Sequence, residues 1–165
     1  MSAARKRRTQ GSRNNNGPIT MNRRAFHDYA FSERYEAGIA LQGTEIKSIR
    51  DGQVNLREGY VRLVDGEAWL EGVHIAPYLE GSYLNHEPTR PRRLLLHKSE
   101  LRQLEQQTGV RGYTIIPLRL YYKRGRVKVE LGVGRGKRQY EKRQTIAARE
   151  AQREMDRALR SHGRQ

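Results

Sequence analysis

The sequence has no cysteine, which excludes a disulfide scaffold, thiolate metal sites and cysteine nucleophiles. It has one tryptophan, two phenylalanines and five prolines in 165 residues, and only 35% of its residues are hydrophobic. Such a chain supports one modest core with segments outside it. No apolar run approaches the ~20 residues that a membrane-spanning helix needs. No apolar segment follows the basic N-terminus, so a secretory leader is not expected and a cytoplasmic location is. Acidic residues are also short, with 18 Asp+Glu against 33 Lys+Arg and a net charge of +15. That imbalance points to a polyanionic partner, with nucleic acid first among the candidates.

The excess charge is unevenly placed. Residues 1–24 carry seven basic and no acidic residues, residues 25–134 carry 16 and 14, and residues 135–165 carry ten and four. The sequence therefore divides into a basic N-terminal arm (1–20), a nearly neutral body (21–134) and a basic C-terminal tail (135–165). The arm, with Arg5-Lys6-Arg7-Arg8 and Asn14-Asn15-Asn16-Gly17, has nothing to bury and is expected to be disordered when free.

The body reads mainly as β-structure. Val127, Val129, Leu131 and Val133 alternate with Arg126, Lys128 and Glu130, giving a strand with one buried and one cationic face. Ile116, Leu118, Leu120 and Tyr122 mark one side of a preceding strand, joined to it through Lys123-Arg124-Gly125. Asp65-Gly66 is a hairpin turn between Tyr60–Val64 and Glu67–Ile75. His27 to Leu41 reads as further strand, interrupted near Ser32-Glu33. Two short helices are expected, one capped by Thr44 and stopped by Asp51-Gly52, the other capped by Ser99 and stopped by Gly109. About six short strands with few helices suggest a small closed antiparallel barrel of oligonucleotide-binding (OB) type, with a β-sandwich as the alternative.

Catalytic signals are weak. Gly132-Val-Gly-Arg-Gly-Lys137 resembles a phosphate loop, but Leu131 stands where the first glycine belongs and Arg138 where Ser or Thr does. The run reads instead as a flexible basic exit from the body. His27, His74, His86, His97 and His162 are scattered and form no metal-ligand spacing. No catalytic residue, metal site, cofactor or small-molecule substrate is expected.

The tail reads as a conditional helix over about 145–160, capped by Thr145. On a helical wheel Arg149, Arg153, Arg157, Arg160 and Arg164 fall within about 80° of one another, opposite a side of alanines with Met155 and Leu159. The Arg149/Arg153 and Arg153/Arg157 spacings repel by roughly 0.2–0.5 kcal/mol each. The tail is therefore expected to fold when RNA screens these charges.

Several strings in register carry a resemblance. Asn22-Arg-Arg-Ala-Phe-His-Asp-Tyr29, Tyr35-Glu-Ala-Gly-Ile39, Leu41-Gln-Gly-Thr-Glu-Ile-Lys-Ser-Ile-Arg50, Leu94-Leu-Leu-His-Lys98 and Gly134-Arg-Gly-Lys-Arg138 closely resemble the SsrA-binding protein (SmpB) family over residues 20 to 160. The resemblance implies an OB-type barrel and a non-enzymatic adaptor. Such an adaptor binds the tRNA-like domain of transfer-messenger RNA (tmRNA) and delivers it to stalled ribosomes for trans-translation. A ribosomal structural protein binding ribosomal RNA is the alternative. It further implies an RNA-facing set of Asn22, Arg24, His27, Glu36, Leu95 and Lys128. Arg24 and Lys128 suit phosphates, and Asn22 and His27 suit ribose or base edges. Leu95 suits an unstacked base, and Glu36 suits base amino groups or a neighbouring arginine. In the tail the implied residues facing the decoding site and messenger path are Gly136, Lys137, Arg138, Tyr140, Lys142, Arg143, Arg149, Arg153, Met155 and Arg157. Phe26 stands where other members have Arg, and Tyr140 where some have His.

Overall fold

Two tight hairpins fix the register of the molecule. At Asp65-Gly66 and at Arg124-Gly125 both residues have positive φ, between 50° and 73°, the two-residue geometry whose twist matches that of the flanking strands. The computed structural model describes residues 17–80 and 85–162. In chain order the elements are β1 (Pro18–Met21), α1 (Arg23–Asp28), β2 (Tyr29–Ile39), α2 (Gly43–Arg50), β3 (Val54–Asn55), β4 (Tyr60–Val64), β5 (Glu67–Glu71), β6 (His74–Ile75), β7 (Arg92–Leu95), α3 (Lys98–Thr108), β8 (Tyr113–Lys123), β9 (Arg126–Gly136) and α4 (Gln139–His162).

All strand pairs are antiparallel. The order β8-β4-β5-β7-β2-β9 returns on itself because β9 also pairs with β8, and β1 adds to the far end of β8. A ring of six strands is the small antiparallel barrel expected, and it removes the sandwich alternative. Short β3 and β6 form a separate pair. The main core cluster includes Ala37, Ile49, Leu70, Ile75, Leu104, Ile115, Leu120, Val129, Leu131 and Val133. Each large apolar side chain there contributes about 1.5–3 kcal/mol.

In β9, Val129, Leu131 and Val133 point inward as the alternation requires. In β8 the expected single face is broken. Pro117 pairs with Leu131 but Arg119 with Glu130, so Leu118 is an extra, bulged residue. Ile115 and Leu120 consequently enter the main core, while Ile116 and Leu118 pack outside the ring with Ala25, Phe26 and Phe31. A second bulge, between Phe31 and Glu33, is the interruption read near Ser32.

The helix starts differ from the serine and threonine caps expected. Glu45 accepts a hydrogen bond from the Gln42 amide (2.7 Å) and Glu100 from the His97 amide (2.8 Å), so α2 and α3 each start before Thr44 and Ser99. His27 lies in α1, not in a strand. Strand β1 begins at Pro18, inside the expected arm, and β9 continues to Gly136, past the expected boundary at 134. The Gly132–Gly136 run is therefore paired strand rather than flexible exit. Helix α4 starts at Gln139, and Thr145 sits inside it, its hydroxyl donating to the Glu141 carbonyl (2.8 Å). The disorder expected for the basic arm concerns residues 1–16, which lie outside the described residues, as does Arg164.

A buried ion cluster fastens the long connection before β7. Glu45 and Arg92 are both fully buried, paired at 2.7 Å, and Arg90 joins Glu45 at 2.6 Å. Arg92 also donates to the carbonyls of Val73 (2.8 Å) and Pro88 (2.9 Å), so each of its three guanidinium nitrogens is engaged.

Candidate nucleic-acid interface

At one end of the outer surface lies α1. Asn22 caps it: its Oδ1 accepts from the Ala25 amide (3.1 Å), and its Nδ2 donates to the carbonyls of Leu56 (3.0 Å) and Pro117 (3.2 Å). The residue is 2% exposed. Both amide hydrogens are thus spent on the fold, and the side chain is enclosed. Arg24 and His27 project from the helix and share one partner, Asp28. Arg24 Nε lies 3.3 Å from Asp28 and its Nη1 3.1 Å from Glu58, while His27 Nδ1 donates to Asp28 at 2.8 Å. That leaves His27 Nε2 pointing elsewhere. The His27 hydrogen bond, with help from Lys142 and Arg24, holds the Asp28 carboxyl below its ordinary range against the opposing effect of burial.

Beneath α1 the aromatic rings are packed by glycine. A Cβ on Gly132 would lie 2.6 Å from the Phe31 ring, and one on Gly134 would lie 2.3 Å from the Ala30 carbonyl oxygen. Neither position tolerates a side chain. Phe31 meets Phe26 edge-on at 5.9 Å, and the Arg34 guanidinium lies 5.6 Å from the Phe26 ring centre. The string that resembled a phosphate loop is thus the seat of an aromatic cluster.

Register then carries the surface across four strands. Leu95 is opposite Gly38, Gly38 opposite Lys128, and Lys128 opposite Tyr121. Residues directly opposite share a face, so this is one row on the outside of β7, β2, β9 and β8. The next row on β2, β9 and β8 is Glu36, Glu130 and Arg119. Leu95 is 56% exposed while Leu94 is 4% exposed, as the strand alternation required. Glu36 does not fix Arg34, which pairs instead with Glu130. It accepts from the Tyr121 hydroxyl and from Lys123 Nζ (2.9 Å). The Tyr121 and Lys123 hydrogen bonds hold the Glu36 carboxyl below its ordinary range. Burial, reinforced by Glu36, pushes the Tyr121 hydroxyl well up, so it remains a neutral donor. An open groove brings Glu36, Leu95 and Lys128 together; Asn22, Arg24 and His27 are at the other end of the surface. Sequence reading missed Phe31, Arg34, Arg119, Tyr121 and Lys123. Tyr121 and Lys123 were findable: the Arg124-Gly125 turn places Lys123 opposite Arg126 and Tyr121 opposite Lys128.

The tail leaves beside α1. The Lys137 amide donates to the Asp28 carbonyl (2.8 Å), and its Nζ to the Phe26 carbonyl (3.2 Å). Lys142 Nζ lies 3.3 Å from the Asp28 carboxylate. Gly136 and Arg138 line a small cleft with Gly112, Arg135 and Glu141. Arg143, Arg149, Arg153, Arg157 and Met155 are exposed. The Tyr140 side chain lies outside the described residues. From 147 to 160 every residue of α4 is exposed, so the arginine stripe is presented to solvent. Among the described residues no three His, Asp or Glu side chains converge as metal ligands would, and no helix is long and apolar enough to cross a membrane.

Comparison with known proteins matches this architecture closely. The family model for SmpB protein covers residues 19–161. The SsrA-binding protein of Roseiflexus sp. (strain RS-1) is 61% identical over 147 residues, which is 88% of this chain and 93% of the relative. The SsrA-binding protein of Carboxydothermus hydrogenoformans (strain ATCC BAA-161 / DSM 6008 / Z-2901) is 52% identical over 143 residues, 87% of this chain and 96% of the relative. A chain solved in work described as "tmRNA-SmpB: a journey to the center of the bacterial ribosome" superposes with a TM-score of 0.64 at 48% identity, covering 79% of this chain and 95% of that one. With nearly all of the body and tail matched, the chain belongs to the SmpB family.

Proposed function

We propose that this chain is a non-enzymatic, cytoplasmic RNA-binding adaptor. It binds the tRNA-like domain of tmRNA with its barrel and delivers that RNA to stalled ribosomes, where its tail enters the messenger path near the decoding site. The relatives named as SsrA-binding proteins, and a structural neighbour described with tmRNA and the ribosome, supply the partner class. The observation that carries the reading is the outer row Leu95–Gly38–Lys128–Tyr121. It sets an exposed apolar side chain beside a cation and a tyrosine ring on one continuous face. That combination suits an unstacked base beside its phosphate.

In this reading Lys128 and Arg24 contact phosphates, and His27 offers Nε2 to ribose or base edges. Leu95 packs on a base. Glu36 orients Tyr121 and Lys123 rather than meeting phosphate, and Asn22 acts by holding the start of α1. The exposed residues of α4 face ribosomal RNA. The test is capture from lysate under stringent salt, followed by sequencing of the bound RNA. One enriched tRNA-like RNA is the expected result; bulk ribosomal RNA would instead identify a ribosomal structural protein. A protein ending at Gly136 keeps the whole of β9 and should still bind the tRNA-like domain while losing peptide tagging. Loss of RNA binding by that folded truncation would overturn the division of labour.

A further inference from the structure

The tail and the RNA-facing helix meet on a single carboxylate. Asp28 ends α1 and is three-quarters buried at its side chain. Its Oδ2 takes Arg24 Nε at 3.3 Å, and its Oδ1 takes His27 Nδ1 at 2.8 Å and lies 3.3 Å from Lys142 Nζ. Its carbonyl takes the Lys137 amide at 2.8 Å. One carboxylate thus serves two side chains assigned to RNA and one from the second turn of the tail helix. Beyond residue 146 the described part of α4 is exposed, so its direction is set at this junction.

We propose that Asp28 is a positioning residue that latches the base of α4 to α1, so that RNA held by Arg24 and His27 alters the direction in which the tail leaves the barrel. This rests on the RNA-binding reading above. Arg24 is 62% exposed at its side chain, and an RNA phosphate competes with Asp28 for it. When Arg24 turns to phosphate, the Asp28 charge is left to His27 and Lys142, and the tail is held more firmly. Coupling between two sites is reciprocal in free energy, so a seated tail raises the affinity of α1 for RNA by the same factor. Asp28 touches no RNA itself; it acts through its neighbours on either side.

The absence of cysteine makes the test direct. Cysteines introduced at exposed Gln103 in α3 and exposed Gln144 in α4 carry spin labels, and the distance between them reports the exit angle. In the free protein a narrow distribution is expected. It should broaden with Asp28→Asn and with Lys142→Ala, and narrow again with Asp28→Glu. Addition of a transcript of the tmRNA tRNA-like domain should shift the distance in the unaltered protein and leave Asp28→Asn unshifted. Affinity for that transcript should fall by about fivefold with Lys142→Ala, which leaves Asp28 to Arg24, and Lys142→Ala should cost nothing further in the Asp28→Asn background, the signature of a shared path. Distributions unchanged by either substitution, a distance insensitive to bound RNA, or a Lys142→Ala loss that persists in the Asp28→Asn background would each overturn the latch. Absence of transcript binding by the unaltered protein would overturn the proposed function instead, and the latch would then stand or fall on the free-protein distances.

Discussion

Three hydrogen bonds converge on the side chain of Asn22, from α1, the loop after β3 and β8. Asn22→Ala removes the helix cap, at about 0.5–2 kcal/mol, and one hydrogen bond to each of two carbonyls, at about 0.5–1.5 kcal/mol each, the Leu56 carbonyl keeping the Gly59 amide (3.0 Å). A loss of about 2–4 kcal/mol in urea unfolding is expected, with RNA binding falling only as far as α1 is disordered. Lys128→Ala should do the reverse. Lys128 projects from the outer face, so the melting temperature should hold while the slope of log affinity against log salt flattens by about one unit or less. An unchanged slope and affinity would count against its placement. The different fates of these residues explain what could be read in advance. Leu95 and Lys128 were legible because strand alternation decides which way each points. That Tyr121 and Lys123, findable beside Lys128 from the turn, would pair with Glu36 was not legible, since they lie 85 and 87 residues from it and meet it only when the barrel closes. The enclosure of Asn22 was not legible, because a polar side chain gives no local sign that it is buried.

Elements with strong punctuation were equally legible. The Asp-Gly and Arg-Gly turns demand positive φ, and both hairpins form around them. Helix α1 was not, because its six residues show no apolar period and its start depends on distant carbonyls. The bulge at Leu118 likewise follows from packing under α1. For α4 the informative change is Ala151→Pro, which costs ~3 kcal/mol or more wherever the helix forms. Because residue 151 is exposed and distant from the barrel junction, thermal stability of the body and affinity for the tRNA-like domain should stay near their original values while tagging falls sharply. Circular dichroism of the peptide 141–165 tests whether the tail folds by itself. Little helix in dilute buffer is expected, since the arginine spacing is repulsive and an isolated helix of this length is marginal.

For the molecule as a whole, acid sensitivity should centre on the buried cluster joining α2 to the connection before β7. Burial pushes the Glu45 carboxyl up, but hydrogen bonds from Arg90, the Gln42 amide and Arg92 outweigh it and leave it below its ordinary value of 4.5. A carboxyl depressed in the folded state contributes stability that is present above its unfolded value and lost as pH falls through the folded one. The melting temperature should therefore be level from neutrality to about pH 5 and fall below it. Glu45→Gln leaves Arg92 buried without its counter-charge and should cost about 3–5 kcal/mol at neutral pH, while flattening part of the acid limb. A variant as stable as the original, measured by urea midpoint, would show that the pair contributes little.

A helix of 24 residues that is held only at its base has the properties of a ruler as well as a ligand. At 1.5 Å per residue it spans about 36 Å, and its arginine stripe has a fixed phase relative to the barrel. Removing one residue near 146 would shorten the reach by about 1.5 Å but turn the distal stripe by about 100°. Removing seven would shorten it by about 10 Å and turn the stripe by only about 20°. Tagging that survives the first deletion but not the second would mark length as the quantity being read; the opposite order would mark phase.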